Sequence, residues 1–344
     1  MSLKIGVTGV GHRGLQLARA ASALDDISIL AIADLDSGRR ENVARELGVK
    51  NTYELLSHML ESVELDAIFV LTPDLAHKDQ AIAALEAGCH VLVEKPPAYS
   101  VEDTEAMSVA SEKAGKHLMV AWNRTFGLLR AREVFGKDGP EVLLADYVRP
   151  NPAYLSLVRT HIVNPLYFMG GLADVVVAHG SMYDDIQEGN LAASIRFENG
   201  SLGQMTASHG SGGKSERFTA YGDGFSVFID QTGTGRGRIL RGGKIVEELS
   251  DIDTVTAQIQ HFRDCCKDDR VPLNSGNDAV EIMKLTHAIM DAAGFVVPKA
   301  PQDQRGWLLW CGCGEKVIAE TNRCPECGED WQGWSLPTEK IMKV

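Results

Sequence analysis

Gly9-Val10-Gly11-His12-Arg13-Gly14 stands between Lys4-Ile5-Gly6-Val7-Thr8, a short apolar run of strand type, and Leu15-Gln16-Leu17-Ala18-Arg19-Ala20, which has helical periodicity. The spacing is G-x-G-x-x-G, set between a strand and a helix. In that setting the first glycines permit a tight turn and close approach of backbone to a pyrophosphate. The third lets helix pack on strand, and the helix N-terminus faces the anion. A second apolar run, Ile27–Ala33, ends in Asp34, twenty residues after Gly14. An acid there accepts hydrogen bonds from the adenosine ribose hydroxyls and repels a 2′-phosphate, so NAD is favoured over NADP. Arg39 and Arg40 lie close enough in sequence to keep NADP open.

Outward from this stretch the alternation continues. Arg40–Leu47 and Tyr53–Leu60 read as helices, and Ala67–Leu71 as a buried strand stopped by Thr72-Pro73. Ala76–Ala87 is a helix ended by Gly88, Cys89–Val93 a strand, Glu102–Ala114 a helix ended by Gly115, and His117–Ala121 a strand. Strands alternating with helices and lacking hairpin turns predict a doubly wound parallel sheet of Rossmann type in an α/β protein. The strand Val91-Leu92-Val93 runs into Glu94-Lys95-Pro96-Pro97. Proline cannot donate to a sheet ladder and keeps the residue before it out of helical geometry. Lys95 is therefore expected on stiff backbone at a strand's C-terminal end, where open α/β sheets bind ligands.

The order GVGHRG, Asp34, LTPDLAH, VEKPPA and AWNRTF resembles the Gfo/Idh/MocA oxidoreductase family from about Leu3 to about Pro298. The resemblance implies a nicotinamide-dependent enzyme acting on sugars, polyols or related molecules. It makes Lys95 a catalytic or substrate-orienting lysine, with a Lys95–Pro96 bond that is often cis. The candidate cofactor-binding residues are Gly9, Gly11, His12, Arg13, Gly14, Asp34, Thr72, Pro73, His77, Glu94, Lys95, Pro96 and Asn123.

After Ala121 the character changes. Eight short strands are expected, separated by turn signals such as Glu198-Asn199-Gly200-Ser201 and Gly222-Asp223-Gly224. With helices at Ala257–Lys267 and Asp278–Ala293, they predict an α+β substrate domain with a large, mostly antiparallel sheet. In the resembling family such an open sheet commonly serves as a dimer face, so a homodimer or homotetramer is expected. Family enzymes also place D-x-G-x-H on a helix in this half, with Asp and His four residues apart on one face. Of two registers, Gly170–His179 runs into the strand-like Val175-Val176-Val177, whereas Thr160–Gly170 keeps a helix after its histidine. The second register makes His161 the candidate proton-transfer residue, since imidazole titrates near neutrality. It also puts Leu157, Arg159 and Asn164 where the family has Asp, Gly and a later Asp. Asn123, Arg124, Arg149 and Tyr154 are further candidates for the same site.

The tail carries Cys311, Cys313, Cys324 and Cys327 in a C-x-C-x10-C-x2-C pattern. Four thiolates from two tight turns suit tetrahedral structural zinc and resemble a zinc ribbon. A rubredoxin-like iron site shares Cys-Pro-x-Cys-Gly but normally opens with C-x-x-C. The expected domains are 1–121, dinucleotide-binding; 122–300, substrate and oligomerisation; and 301–344, the zinc-ribbon-like module. A net charge of −13 argues against nucleic acid and anionic membrane surfaces as partners. No apolar run reaches the length of a membrane span and the N-terminus does not read as a secretion signal, so a cytoplasmic protein is expected. Three functions remain open: a dehydrogenase of sugar-like substrates, an NAD-dependent glycosidase or lyase on the same fold, and a non-catalytic NAD sensor or scaffold.

Overall fold

The computed structural model describes residues 2–148, 160–182, 188–208, 213–232 and 235–295, together with the backbone of 309–310 and 316–317. They form two compact units. One is drawn from Met1–Met119 and Cys265–Val271, the other from Val120–Asp264 and Pro272–Val297.

In the first unit β1 (Leu3–Thr8), β2 (Ile27–Ala33), β3 (Asn51–Tyr53), β4 (Ala67–Val70), β5 (His90–Val93) and β6 (Leu118–Val120) form a six-stranded sheet in the order β3-β2-β1-β4-β5-β6. The pairs β1–β2, β1–β4, β2–β3 and β4–β5 are all parallel. Buried strands flanked by helices on both faces need apolar residues on both sides, which is why Ala67-Ile68-Phe69-Val70 is buried at every position. The helices are α1 (His12–Ser22), α2 (Ser37–Leu47), α3 (Leu56–Ser62), α4 (His77–Glu86) and α5 (Val101–Ala114). Strand order reverses between β1 and β4, so the ligand crevice of such a sheet lies outside their C-terminal ends. The segment expected as a helix from Tyr53 to Leu60 is instead divided. Thr52 and Tyr53 pair with Ile32 and Ala33 at the sheet edge, and helix begins only at Leu56. Helix α2 starts earlier than expected because Asp36 caps it, accepting from Arg39 N at 2.8 Å.

At the opposite end of this sheet His90 and His117 stack with ring centroids 5.0 Å apart. His90 Nδ1 accepts from His117 N at 3.0 Å, and His117 Nε2 faces Asp269 Oδ1 at 3.4 Å. Burial, assisted by the Lys116 charge, lowers the His90 pKa to about 4. The unfolded chain protonates His90 near its ordinary value of 6.5, above the folded value, so stability is full above 6.5 and falls as pH drops towards 4. Water still reaches part of the ring. We therefore expect a loss of about 1–2 kcal/mol between pH 7 and pH 5, less than the full shift implies. Urea midpoints at the two pH values measure it. His90→Asn, which keeps an acceptor for His117 N, is expected to shrink the difference; an unchanged difference would refute the assignment.

The second unit holds α6 (Leu129–Phe135), α7 (Thr160–Gly170), α8 (Thr254–Asp268), α9 (Gly276–Ala292) and an eight-stranded sheet. Its strands are β7 (Val142–Val148), β8 (Ala173–Met182), β9 (Glu188–Phe197), β10 (Leu202–Ser208), β11 (Ser215–Gly222), β12 (Phe225–Asp230), β13 (Gly235–Arg241) and β14 (Lys244–Ile252). The order is β14-β13-β12-β11-β7-β10-β9-β8. The sheet is antiparallel as expected except at β7–β10, which is parallel, with Leu202 beside Val142 and Ser208 beside Val148. Period-two burial puts Leu143, Ala145 and Tyr147 of β7 and Met205 and Ala207 of β10 inside, where β7 and β10 meet α7. On the other face Val175, Val177 and Leu202 are exposed. The strand at Ala173–His179 and the helix from Thr160 follow the second of the two registers considered for the D-x-G-x-H region. Helix α8 begins at Thr254 rather than Ala257 because Asp253 accepts from Val255 N and Thr256 N, both at 3.1 Å. The backbone strands β15 (Leu309–Trp310) and β16 (Lys316–Val317) pair antiparallel.

Candidate functional site

The first unit assembles a dinucleotide-type loop from backbone alone. Gly9 has φ +83°, and a Cβ there would come within 2.6 Å of Thr72 N, so the loop after β1 presses on the end of β4. A Cβ at Gly14 would lie 2.1 Å from Gly9 O, which fixes α1 directly against the turn. At Gly11, the residue before α1, a Cβ would meet no atom within 4 Å. This open space lies at the N-terminus of α1, where no side chain caps the first amides and the first turn carries no acid. That end suits a bound anion.

Asp34, buried at the end of β2, accepts from Val10 N at 2.8 Å and Asp36 N at 2.9 Å. Arg39 Nη1 approaches its carboxylate at 3.5 Å, and Arg40 Nη1 donates to its main-chain oxygen at 2.6 Å. The acid is thus tied to the glycine loop, with basic groups beside it. His12 is exposed at the first position of α1.

The Glu94-Lys95-Pro96-Pro97 turn is held from several sides. Glu94 is 6 % exposed. Its Oε1 accepts from Arg13 Nε and its Oε2 from the Lys95 amide, both at 2.7 Å. The Lys95–Pro96 peptide bond is cis. His77 is 1 % exposed, with Nδ1 2.8 Å from Pro96 O and Nε2 2.8 Å from Thr72 O. Both of its nitrogens are engaged with main-chain oxygens, so His77 braces the ends of β4 and β5 from behind. The Thr72 hydroxyl donates to Gln80 at 2.9 Å, Pro73 opens a 3-10 turn over Asp74–Ala76, and Tyr99 donates to Asp74 at 2.6 Å. Nothing in the sequence at His77 distinguishes a brace from a cofactor contact; the signal lies in the two carbonyls.

In the second unit His161 is the second residue of α7 and lines a small cleft of about 20 Å³ with Arg124, Tyr147, Glu216, Arg217 and Gln231. Arg124 grips Glu216 through Nε at 2.7 Å and Nη2 at 2.6 Å, and Lys214 approaches the same carboxylate at 3.2 Å. Glu216 was not singled out above, although it falls on the inward period of β11 with Phe218 and Ala220. A carboxylate on that period is the signal that reveals it. Asn164, one turn after His161, joins a buried network in which the Thr125 hydroxyl lies 2.6 Å from Asn164 Oδ1 and Asn164 Nδ2 donates to Asn274 Oδ1 at 2.8 Å. Asn123 donates its amide to Thr254 Oγ1 at 2.6 Å.

Lys95 belongs to the first unit and His161 to the second. Arg149, Tyr154, Leu157 and the four cysteines Cys311, Cys313, Cys324 and Cys327 lie outside the described residues. Among the described residues no group of three or more His, Cys, Asp or Glu could hold a metal ion, and no helix is long and apolar enough to cross a membrane.

Residues 3–122 match the model of the Gfo/Idh/MocA oxidoreductase family, described as an NAD-binding Rossmann fold. The chain is 28 % identical to the myo-inositol 2-dehydrogenase of Thermotoga maritima over 66 % of its own length and 75 % of that protein. It is 26 % identical to the NAD(+)-dependent scyllo-inositol 2-dehydrogenase of Bacillus subtilis over 80 % of its length and 90 % of that protein. The solved UDP-N-acetylglucosamine 3-dehydrogenase of Acidithiobacillus ferrooxidans superposes with a TM-score of 0.77 at 20 % identity, covering 86 % of this chain and 99 % of that one, and shares the fold. These matches support the Gfo/Idh/MocA oxidoreductase family for residues 3–122. Relatives of the chain include inositol dehydrogenases and an NADP(+)-dependent D-xylose 1-dehydrogenase, and also a 2,7-anhydro-N-acetylneuraminate hydratase and a family 109 glycosyl hydrolase protein.

Proposed function

We propose that the protein is an NAD(P)-dependent oxidoreductase that transfers a hydride between nicotinamide and a hydroxyl-bearing carbon of a sugar, polyol or related compound. The observation that carries this reading is Lys95, held rigidly at the end of β5 in the same unit as the Gly9–Gly14 loop. The cradle fits a dinucleotide: open space at Gly11, uncapped amides at the start of α1 and a pinned acid at Asp34. Asp34 favours NAD, while Arg39 and Arg40 supply a route to NADP. The bound nicotinamide would supply or accept the hydride. Lys95 would orient the hydroxyl and stabilise the developing alkoxide, and His161 would take or return the proton.

The first unit would serve as the dinucleotide domain and the second as the substrate domain. The exposed Val175, Val177 and Leu202 mark a sheet face suited to a second copy of the chain. The four tail cysteines would bind one structural zinc, and the protein would work in the cytoplasm without nucleic acid or membrane. Metal analysis and light scattering on the full chain test the zinc and the oligomer.

The decisive experiment follows reduced-nicotinamide absorbance with NAD or NADP over a panel of sugars, polyols and amino sugars, with Lys95→Ala and His161→Ala beside the parent. Turnover that both substitutions suppress supports the dehydrogenase. Product formation without net cofactor reduction would point to the lyase, and tight NAD binding with no product from any substrate to the sensor.

A further inference from the structure

The geometry points to Arg13 as a positioning residue that fixes the Lys95 backbone through Glu94, joining the dinucleotide loop to the strand end that carries the lysine. This rests on the dehydrogenase reading for its effect on turnover, though not for its structural content. Arg13 is the second residue of α1, inside the G-x-G-x-x-G turn. Its Nε donates to Glu94 Oε1 at 2.7 Å, and its Nη1 donates to Gln16 Oε1 at 2.6 Å, which aims the guanidinium. The other Glu94 oxygen accepts from the Lys95 amide at 2.7 Å. One carboxylate therefore bridges the loop after β1 and the turn after β5, elements 81 residues apart.

The burial of the two partners is unequal, and this gives the pair its direction. The Glu94 side chain is 8 % exposed and the Arg13 side chain 32 %. Removing an exposed arginine from a surface pair changes little, but here it leaves a buried carboxylate without this guanidinium. That carboxylate is then drawn towards water, away from the Lys95 amide. The amide then loses the carboxylate oxygen that holds it at 2.7 Å. A small displacement of reacting groups costs turnover far more than it costs binding. Arg13 thus acts through Glu94 on Lys95 and does not itself touch the reacting atoms.

The test uses the full chain with Arg13→Gln, Arg13→Lys, Glu94→Gln and the Arg13→Gln/Glu94→Gln double variant. Three quantities are read: the Kd for NADH by nicotinamide fluorescence, kcat on whichever substrate the parent turns over, and amide hydrogen exchange of the segment Val91–Ala98. Because two of its residues are proline, the only amides after Glu94 in that segment are Lys95 and Ala98. Arg13→Gln is expected to lower kcat about 10-fold or more while NADH Kd moves less than about threefold, and to speed early exchange by one amide. The double variant should be no worse than the more damaging single, because both break one linkage. Arg13→Lys, which keeps a cation near Glu94, should recover part of kcat. The inference is overturned if Kd rises in step with the loss while kcat holds, which would make Arg13 a plain pyrophosphate ligand. Unchanged exchange in Arg13→Gln, or losses that multiply in the double variant, would overturn it as well. Absence of turnover in the parent would count against the dehydrogenase alone, and exchange would then decide the role of Arg13.

Discussion

Lys95→Ala protein is expected to bind NADH within about threefold of the parent and to turn substrate over about 10³-fold more slowly. The two halves of this expectation have separate physical origins. Binding should survive because the Lys95 platform is built from groups other than its ammonium. Glu94 accepts from the Lys95 backbone amide, His77 reaches the Pro96 carbonyl, and Tyr99 is tied to Asp74. Truncating the side chain beyond Cβ leaves each of these contacts in place. Turnover should fall because the ammonium is the group proposed to meet negative charge as it develops on the substrate oxygen. Lys95→Arg separates charge from shape: it keeps the cation but spreads it over a planar fork, so recovery should be slight. Steady-state kinetics with a parallel fluorescence titration checks the result. A Lys95→Ala protein within about threefold of parental kcat would remove the lysine from the chemistry.

The second large effect is expected at the glycine turn, where two neighbouring substitutions should fail in different ways. Gly14→Ala places a methyl 2.1 Å from Gly9 O, a backbone atom that cannot rotate away. Either α1 lifts off the turn or the turn opens, and both spoil the anion cradle. We expect a stability loss of about 2–4 kcal/mol and NADH binding too weak to measure. Gly11→Ala meets no atom within 4 Å, so the protein should fold with an unchanged urea midpoint. Its methyl nonetheless occupies the space proposed for the pyrophosphate, and NADH affinity should fall about 100-fold or more. Chemical denaturation and a binding titration on both variants separate the cases. Full NADH affinity in Gly11→Ala would mean that the dinucleotide lies elsewhere.

What the sequence disclosed depended on how local each signal was. Strands β1, β4 and β5 were legible because a strand buried on both faces is an uninterrupted apolar run. Gly115 marked the C-terminal end of α5 and adopts the left-handed conformation. Strand β3 escaped because Asn51-Thr52-Tyr53 is three residues long and exists through its pairing with β2. The parallel β7–β10 pair escaped for the same reason on a larger scale: nothing near Val142 announces that its neighbour will be Leu202. At the site, the glycines and Lys95 were legible because each needs a special backbone. The bracing by His77 and the burial of Glu216 against Arg124 were not, since each depends on a partner supplied by another element.

The segment Cys265–Val271 returns to the first unit after more than a hundred residues spent in the second. It brings Lys267 to Asp26 at 2.7 Å and Asp269 to His117 at 3.4 Å. During synthesis on the ribosome, the sheet of the first unit therefore waits without these two contacts while the other unit is made. It acquires these two partners only when residues beyond 265 leave the exit tunnel. A fragment cut after residue 121 would preserve that immature stage, with the end of the sheet around His117 bare. Such a fragment is a record of biogenesis, and its affinity for nucleotide should not be taken for that of the finished chain.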